Sequence, residues 1–214
     1  MAREILKSPD VEKITIVDLD GAVFKIATEN PYVTTVNKEA LLNPKVKMVE
    51  SDAFTYLNQD TDYYDIIISD LPDPSNDAIA RLYSDSFFKL VKMRLSKYGV
   101  FATQATSPFH SKNAYWCIAK TIDSVFENIY PYHQYVPSFG DWGFVMASNF
   151  PMEPTKFDSS FETRFLDSVI VEKMFYFGQD IRCPENLKIN KLDSPELLDY
   201  YLKDWEIWRK EKKQ

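Results

Sequence analysis

The sequence contains few of the residues that mark disulfide-rich, metal-binding or nucleic-acid-binding proteins. Cys117 and Cys183 are its two cysteines and form no C-x-x-C pattern, so a disulfide framework is excluded and a reducing compartment is expected. His110 and His133 are its two histidines and lie in no metal-ligand spacing, so no metal site is expected. Acidic residues outnumber basic ones, and the net charge of −7 argues against a nucleic-acid partner.

Long apolar runs are also missing. No stretch of the sequence approaches the roughly 18 apolar residues that a membrane-spanning helix needs, and the N-terminus has no signal-peptide pattern. At 214 residues with 45% hydrophobic content, the chain is large enough for one domain with a substantial core. We therefore expect a soluble, cytoplasmic polypeptide.

Strand and helix patterns alternate between residues 14 and 127, which predicts an α/β protein with a doubly wound, Rossmann-like parallel sheet. A strand pair at 129–136 and 143–148 closes this region. Apolar spacing predicts one helix over residues 78–95 and another over 110–126, whereas the segment 30–44, with two prolines, is expected to be irregular.

Pro151 and Pro154 mark a boundary, so residues 1–150 are expected to form the main domain and residues 151–214 a helical C-terminal extension. Helices are predicted near 160–177 and over 194–212, the second with Ser194 as its N-cap and Pro195 at its first position. This second helix has an apolar stripe, which indicates that it docks on the main domain. The stripe consists of Leu197, Leu198, Tyr201, Leu202, Trp205 and Trp208.

Acidic residues follow three successive predicted strands. Asp18, Asp52 and Asp70 each end a strand, and Asp73 follows in the sequence Leu71-Pro72-Asp73-Pro74. Ligands of open parallel sheets bind at the carboxyl ends of the strands. Carboxylates there suit a ligand that carries hydroxyls, amino groups and positive charge, and they disfavour most phosphates.

Each acid has a functional and a structural interpretation. Asp18 could accept hydrogen bonds from ribose hydroxyls and Asp52 from an adenine amine, or each could cap the following helix. Asp70 and Asp73, as neighbouring carboxylates, could act as a general base and an ammonium anchor, or form a solvated turn.

The sequence resembles the spermidine synthase (polyamine aminopropyltransferase) family, most closely its bacterial branch in which the catalytic domain follows a membrane-spanning region. The resemblance is carried by five segments, namely Val11–Asp20, Asp52–Phe54, Ile68–Pro74, Thr103–Phe109 and Val136–Phe144.

The resemblance implies a class I methyltransferase-type fold that transfers an aminopropyl group from decarboxylated S-adenosylmethionine to putrescine, with no metal and no prosthetic group. Asp70 would be the catalytic base that deprotonates the attacking amine, and Asp73 would grip the amine groups of the substrate or of the donor. Gln104 and Tyr83 would line the substrate pocket. In the donor site, Asp18 would hold the ribose and Asp52 the adenine amine, with Ala53 beside it. Homodimers are one possible assembly, and a full-length protein could be attached to the inner membrane.

The family's first strand and its Gly-rich loop would precede the segment that begins at Ala2, so the resemblance implies an N-terminally truncated sheet. In that fold the first strand runs between the strands that end at Asp18 and Asp70. Two other functions stay open at this point. One is an S-adenosylmethionine-dependent methyltransferase on the same fold, and the other is a non-catalytic remnant or binding module.

The first prediction follows from this implied truncation. The 214 residues alone should have low or absent aminopropyltransferase activity, because the donor site lacks its Gly-rich loop. Release of methylthioadenosine from decarboxylated S-adenosylmethionine and putrescine measures this activity. Steady release by the purified chain would show that the prediction is wrong.

Overall fold

The structure is a computed structural model that describes residues 1–159 and 163–211. Its strands are β1 (Ile14–Asp18), β2 (Val46–Glu50), β3 (Tyr64–Ser69), β4 (Leu95–Gln104), β5 (Asn128–Val136) and β6 (Gly140–Ser148). Its helices are α1 (Ala2–Ile5), α2 (Gly21–Glu29), α3 (Pro31–Asn37), α4 (Ala53–Gln59), α5 (Asp77–Ala80), α6 (Asp85–Arg94), α7 (Lys112–Asp123), α8 (Ser168–Met174) and α9 (Leu197–Glu211). Two short 3₁₀ turns cover Ala40–Leu42 and Arg81–Tyr83.

The chain divides into two compact units. The first contains Met1–Asp60 and the described residues of Asp158–Thr163. Its sheet has two parallel strands, β1 and β2, in a register that runs from Ile14 opposite Val46 to Asp18 opposite Glu50.

The second unit contains Thr61–Phe157 and the described residues from Arg164 onward. Its sheet has the strand order β3-β4-β6-β5, in which β3 and β4 are parallel and the other pairs antiparallel. The core lies between this sheet and its helices. Its largest fully buried side chains include Tyr83, Phe87, Phe88, Phe101, Tyr115, Ile118 and Ile122.

The α/β class and the predicted strand pair at the end of the sheet are confirmed. The strands do not form one sheet, however. Within residues 1–159 and 163–211, β1 pairs only with β2, and β3 pairs only with β4. Parallel pairing is confined to these two pairs, and the second sheet is mixed.

The segment 30–44 is more regular than expected, because its first proline begins a helix. The Asn30 side chain accepts hydrogen bonds from the amides of Tyr32 and Val33 and caps α3. Pro31 occupies the first turn, where the missing amide hydrogen of proline removes no helical bond. The prediction of an irregular segment is therefore wrong for residues 31–37.

The single helix predicted over residues 78–95 is also wrong, since Ser84 interrupts it. Its hydroxyl accepts from the amide of Phe87 at 3.3 Å and so begins a new helix at Asp85. The apolar residues on both sides of Ser84 keep a helical spacing across the break. The apolar pattern therefore could not show that one helix ends and another begins there.

The two C-terminal helices are shorter than predicted. Within the described residues, the helix predicted near 160–177 covers only Ser168–Met174, and part of the prediction (160–162) lies outside them. The second helix begins at Leu197, because the Asn190 side chain accepts from the amides of Glu196 and Leu197. The prediction of Ser194 as N-cap is wrong, and Lys212 lies outside the described residues.

Helix α9 packs against α7 with the help of a buried acid. Leu197 is fully buried. Asp204 accepts from the Asn113 side chain at 2.6 Å and from the Ala114 amide at 3.1 Å. Since the N-cap residue of α7, Ser111, makes no side-chain cap bond, α9 supplies the acceptor for that helix start. None of the described helices combines the length and apolarity needed to cross a bilayer.

The second prediction concerns this contact. Replacing Asp204 with Ala should lower the free energy of unfolding by about 1.5–3 kcal/mol, because two donors lose a buried charged acceptor. Urea denaturation measures the loss. Asp199→Ala, on the exposed side of α9, is the matched control and should change stability by about 0.5 kcal/mol or less. Equal losses in both variants would contradict a capping role for Asp204.

Candidate functional site

The acidic loop, residues Asp70–Pro74, follows the buried end of β3 and places its two acids in different surroundings. Asp70 is exposed, and among the described residues no hydrogen bond reaches its carboxylate. Asp73 is half-buried, and Pro74 after it is buried. The loop therefore offers one solvent-accessible carboxylate and one partly desolvated carboxylate within four residues.

Gln104 and Tyr83 hold the acidic loop in place. The Gln104 amide donates to the Leu71 carbonyl and to the Tyr83 hydroxyl, and that hydroxyl donates to the Pro72 carbonyl at 3.0 Å. Gln104 Oε1 also accepts from the Thr106 amide at 2.9 Å. Both amide hydrogens of Gln104 are thus used inside the protein, so its side chain supports the loop more than it offers donors to a ligand.

Asp73 contacts the C-terminal helix. Its Oδ2 accepts from the Tyr201 hydroxyl at 3.0 Å. Its Oδ1 is buried and has no hydrogen-bond partner among the described residues. Burial raises the pKa of Asp73, and the hydroxyls of Tyr201 and Thr106 offset part of that rise.

The neighbouring tyrosines stay protonated in this environment. Burial, followed by the charge of Asp73, raises the pKa of Tyr201 to about 12. Burial and then the same charge raise the pKa of Tyr83 well above its usual value. Both hydroxyls therefore act as hydrogen-bond donors at neutral pH.

The donor-site candidates lie in the first unit, at the carboxyl ends of β1 and β2. Asp18 Oδ1 accepts from the Asp20 amide at 2.9 Å, and Asp20, not Asp18, caps α2. Asp52 Oδ1 accepts from the amide and hydroxyl of Thr55 and caps α4. Ala53 is the first residue of that helix. Asp52 therefore caps α4, as its structural interpretation predicted, and it uses Oδ1 for this.

Glu50 is a further acid at this end of the first sheet that the sequence interpretation did not include. A Cβ atom on Gly21 would collide with Glu50 Oε2, so the carboxylate lies against the start of α2. Negative charge is favourable at a helix N-terminus. The absence of a side chain at Gly21 permits this close approach.

The two histidines contribute structure. His133 lies between Asp141 Oδ1 at 2.7 Å and the Tyr176 carbonyl at 2.8 Å. Burial lowers the pKa of His133, but both contacts and the charge of Asp141 outweigh this effect and raise it. His110 stacks on Trp205, with ring centroids 5.9 Å apart. In the described part of the chain, no group of three or more possible metal ligands is present.

A protein-family model for the spermine/spermidine synthase domain matches residues 1–159. The chain belongs to this family. Among its curated relatives, the polyamine aminopropyltransferase of Leptospira interrogans is 40% identical over 204 residues, and that of Oceanobacillus iheyensis is 40% identical over 208 residues. These alignments cover 95% and 96% of the chain but 40% and 41% of the relatives. The chain therefore spans about 40% of the length of these relatives.

Solved structures of spermidine synthases share the fold of this family member. One, crystallised with the transition-state analogue AdoDATO, has a TM-score of 0.71 at 23% identity and covers 82% of the chain and 62% of its own length. The enzyme from Thermotoga maritima has a TM-score of 0.68 at 21% identity, covering 82% of the chain and 61% of its own length. The predicted class I methyltransferase-type fold is confirmed.

The predicted site residues fall in both units of this family member. Asp18, Asp52 and Ala53 lie in the first, and the structure brings Asp70, Asp73, Gln104 and Tyr83 together in the second. Their substrate and donor roles stay predictions. Sequence reasoning missed Tyr201, which it assigned to an apolar stripe. A buried tyrosine hydroxyl requires a partner, and that requirement was the available signal.

The third prediction uses the raised pKa of Asp73. Between the unfolded and folded pKa values, the native state binds the proton more tightly, so this acid makes stability fall as the pH rises. Asp73→Asn should therefore raise the thermal midpoint at pH 7 and have a smaller effect near pH 4. Calorimetry at both pH values measures this.

Asp193→Asn, in an exposed loop of the same unit, is the matched control and should leave the midpoint nearly unchanged. A lower midpoint for Asp73→Asn at pH 7 would mean that Asp73 is a structural acid whose ionised form stabilises the fold.

Proposed function

We propose that this sequence supplies the acceptor site and part of the donor site of an aminopropyltransferase. The reaction transfers the aminopropyl group of decarboxylated S-adenosylmethionine to putrescine, and the products are spermidine and methylthioadenosine. The observation that carries the proposal is the acidic loop, in which an exposed Asp70 and a half-buried Asp73 are fixed by Gln104 and Tyr83.

The acceptor side of the proposed reaction uses the two acids for different tasks. Asp73 binds an ammonium group of the diamine, since a partly desolvated carboxylate attracts a cation more strongly than an exposed one does. Asp70 accepts a proton from the attacking amine. Its exposed carboxylate has no competing donor among the described residues, so its oxygens are available for this transfer.

The proposed reaction is balanced in bonds and protons, and it needs no acid or base other than Asp70 and Asp73. The neutral amine nitrogen attacks the methylene carbon next to the sulfonium, the C–N bond forms, and the C–S bond breaks. The electron pair of that bond stays on sulfur, which leaves as the neutral thioether of methylthioadenosine. The new ammonium loses one proton to Asp70, which then passes it to solvent.

The donor side of the proposal rests on the acids of the first unit. Asp18 and Asp52 follow adjacent parallel strands, the position at which open α/β sheets bind ligands. We assign Asp18 to the ribose hydroxyls and Asp52, with Ala53, to the adenine. One Asp18 oxygen accepts the Asp20 amide, and a carboxylate has acceptor positions to spare.

The charge of the substrates supports this reaction over the alternatives. Both the sulfonium donor and the diamine are cations, and they complement an acidic chain and an acidic loop. Relatives at 40% identity are named polyamine aminopropyltransferases. A homodimer, a cytoplasmic location and membrane attachment of a longer protein stay predictions from the sequence.

The fourth prediction tests the proposed roles in a chimera. This chain replaces the matching 40% of the Leptospira interrogans relative, and methylthioadenosine release is measured with putrescine. Asp70→Asn should lower kcat about 10²–10⁴-fold, as expected for loss of a general base. Asp73→Asn should raise the KM for putrescine about 10–100-fold, because a charged hydrogen bond is lost.

Asp193→Asn is the control for both variants, and the intact relative is the control for the assay. A folded chimera that transfers a methyl group, and that S-adenosylmethionine stabilises more than its decarboxylated form does, would indicate a methyltransferase instead. A folded chimera that fails to bind methylthioadenosine would indicate a non-catalytic module.

A further inference from the structure

The hydrogen bond between Tyr201 and Asp73 joins the C-terminal helix to the acidic loop across 128 residues of sequence. The two oxygens of a carboxylate are equivalent until one of them is bound. In this structure the Tyr201 hydroxyl binds Oδ2, and Oδ1 stays buried without a partner among the described residues. The contact therefore fixes which oxygen of Asp73 remains for a ligand.

Thr106 lies close to the same carboxylate. It is fully buried and has a φ of 61°, a left-handed conformation that β-branched residues rarely adopt. Its backbone is fixed at both ends, because its amide donates to Gln104 Oε1 and its carbonyl accepts from the Gly143 amide at 2.7 Å. Its Oγ1 makes no hydrogen bond of ordinary geometry among the described residues, but the hydroxyl is near enough to Asp73 to lower the pKa of that carboxyl by a weak interaction.

A third buried polar atom lies one helical turn beyond Tyr201. Trp205 Nε1 has no hydrogen-bond partner in the described part of the chain, and its indole acts on the pKa of Tyr201. Among the described residues, the surroundings of Tyr201 thus contain three buried polar atoms that make no hydrogen bond of ordinary geometry: Asp73 Oδ1, Thr106 Oγ1 and Trp205 Nε1. Buried polar groups in native proteins are nearly always paired, so this concentration points to a polar ligand.

We propose that Tyr201 is a positioning residue for the amine site, one that orients Asp73 so that Oδ1 and Thr106 Oγ1 receive an ammonium group of the acceptor. This inference rests on the proposed function and extends it to the C-terminal helix. An ammonium donates three hydrogen bonds, and these two oxygens can accept two of them.

Tyr201 has a second effect on the same carboxylate. Burial favours the protonated form of Asp73, and a hydroxyl that donates to the carboxylate favours the ionised form. Among the described residues, the charge of Asp73 also acts on Tyr83 of the 3₁₀ turn. Asp70 acts on Tyr83 as well, and Arg209 acts on Tyr201. The hydrogen bond from Tyr201 therefore favours the ionised form of Asp73.

The experiment compares Tyr201→Phe with Tyr200→Phe in the full 214-residue chain. Tyr200 is its neighbour on α9, and its hydroxyl accepts from the Lys188 amide, away from Asp73. Two quantities are measured: the pKa of Asp73, from its carboxyl ¹³C shift with Asp73→Asn as the assignment control, and the Kd of putrescine by calorimetry.

Tyr201→Phe should raise the pKa of Asp73 and weaken putrescine binding about tenfold at pH 7, the effect of one charged hydrogen bond. The weakening should increase as the pH falls, since protonated Asp73 does not attract an ammonium. Tyr200→Phe should change neither quantity. In an Asp73→Asn background, Tyr201→Phe should have no further effect on binding, whereas a general loss of structure would be additive.

The outcomes separate this inference from the proposed function. If putrescine binds and Tyr201→Phe changes neither its Kd nor the pKa of Asp73, the positioning role is overturned and the proposed function stands. If the unaltered chain does not bind putrescine, the proposed acceptor site fails. The pKa of Asp73 in Tyr201→Phe then decides the positioning role by itself: a rise supports it, and an unchanged value overturns it.

Discussion

The side-chain amide of Gln104 is the interaction on which the acidic loop depends. It joins three parts of the second unit, since it bonds the Leu71 carbonyl, the Tyr83 hydroxyl and the Thr106 amide. Loop carbonyls and amides that leave the solvent need such partners, because an unpaired buried polar group is destabilising by about 1–3 kcal/mol. A single side chain at the end of β4 thus bonds both the acidic loop and Thr106, the residue with a left-handed backbone conformation.

Two partly or fully desolvated acids in the second unit, Asp73 and Asp204, show how a structural carboxylate differs from a candidate binding carboxylate. Burial raises the pKa of both Asp73 and Asp204. Asp204 bonds fixed donors of α7 with both of its oxygens. Asp73 bonds Tyr201 with one oxygen and leaves the other without a partner among the described residues. An acid that is desolvated and only half satisfied destabilises the native state, so it is better explained by a ligand than by the fold.

The sequence predicted best those features that depend only on neighbouring residues. Strand ends could be located because short apolar runs stop at Asp18 and Asp70, and the positions of the acids followed from them. Element boundaries that depend on distant partners could not be located. The start of α9 is set by Asn190, whose side chain accepts the first amides of the helix, and no local pattern around Ser194 shows this.

Tyr201 was missed for the same reason as the start of α9. Its spacing from the other apolar residues of α9 is that of a packing residue, and the ring does pack, 6.2 Å from Trp205 between centroids. Only the hydroxyl has the second role, and its partner is 128 residues away. Periodicity reports which face of a helix is buried, but it cannot report which polar atom that face meets.

The contact of Tyr201 with Asp73 also bears on how the amine site is built within the family. The family model ends at residue 159, so it covers the acidic loop but not α9. The division of the chain into residues 1–150 and 151–214 stays a prediction, yet the bonds of Asp204 and Tyr201 make α9 part of the environment of α7 and of the loop. Under the proposed function, a change in α9 would alter the charge state and direction of Asp73 while every acid of the loop stayed in place. Affinity for the amine would then vary among relatives with identical acidic loops, because the loop supplies the charge and the helix supplies its orientation.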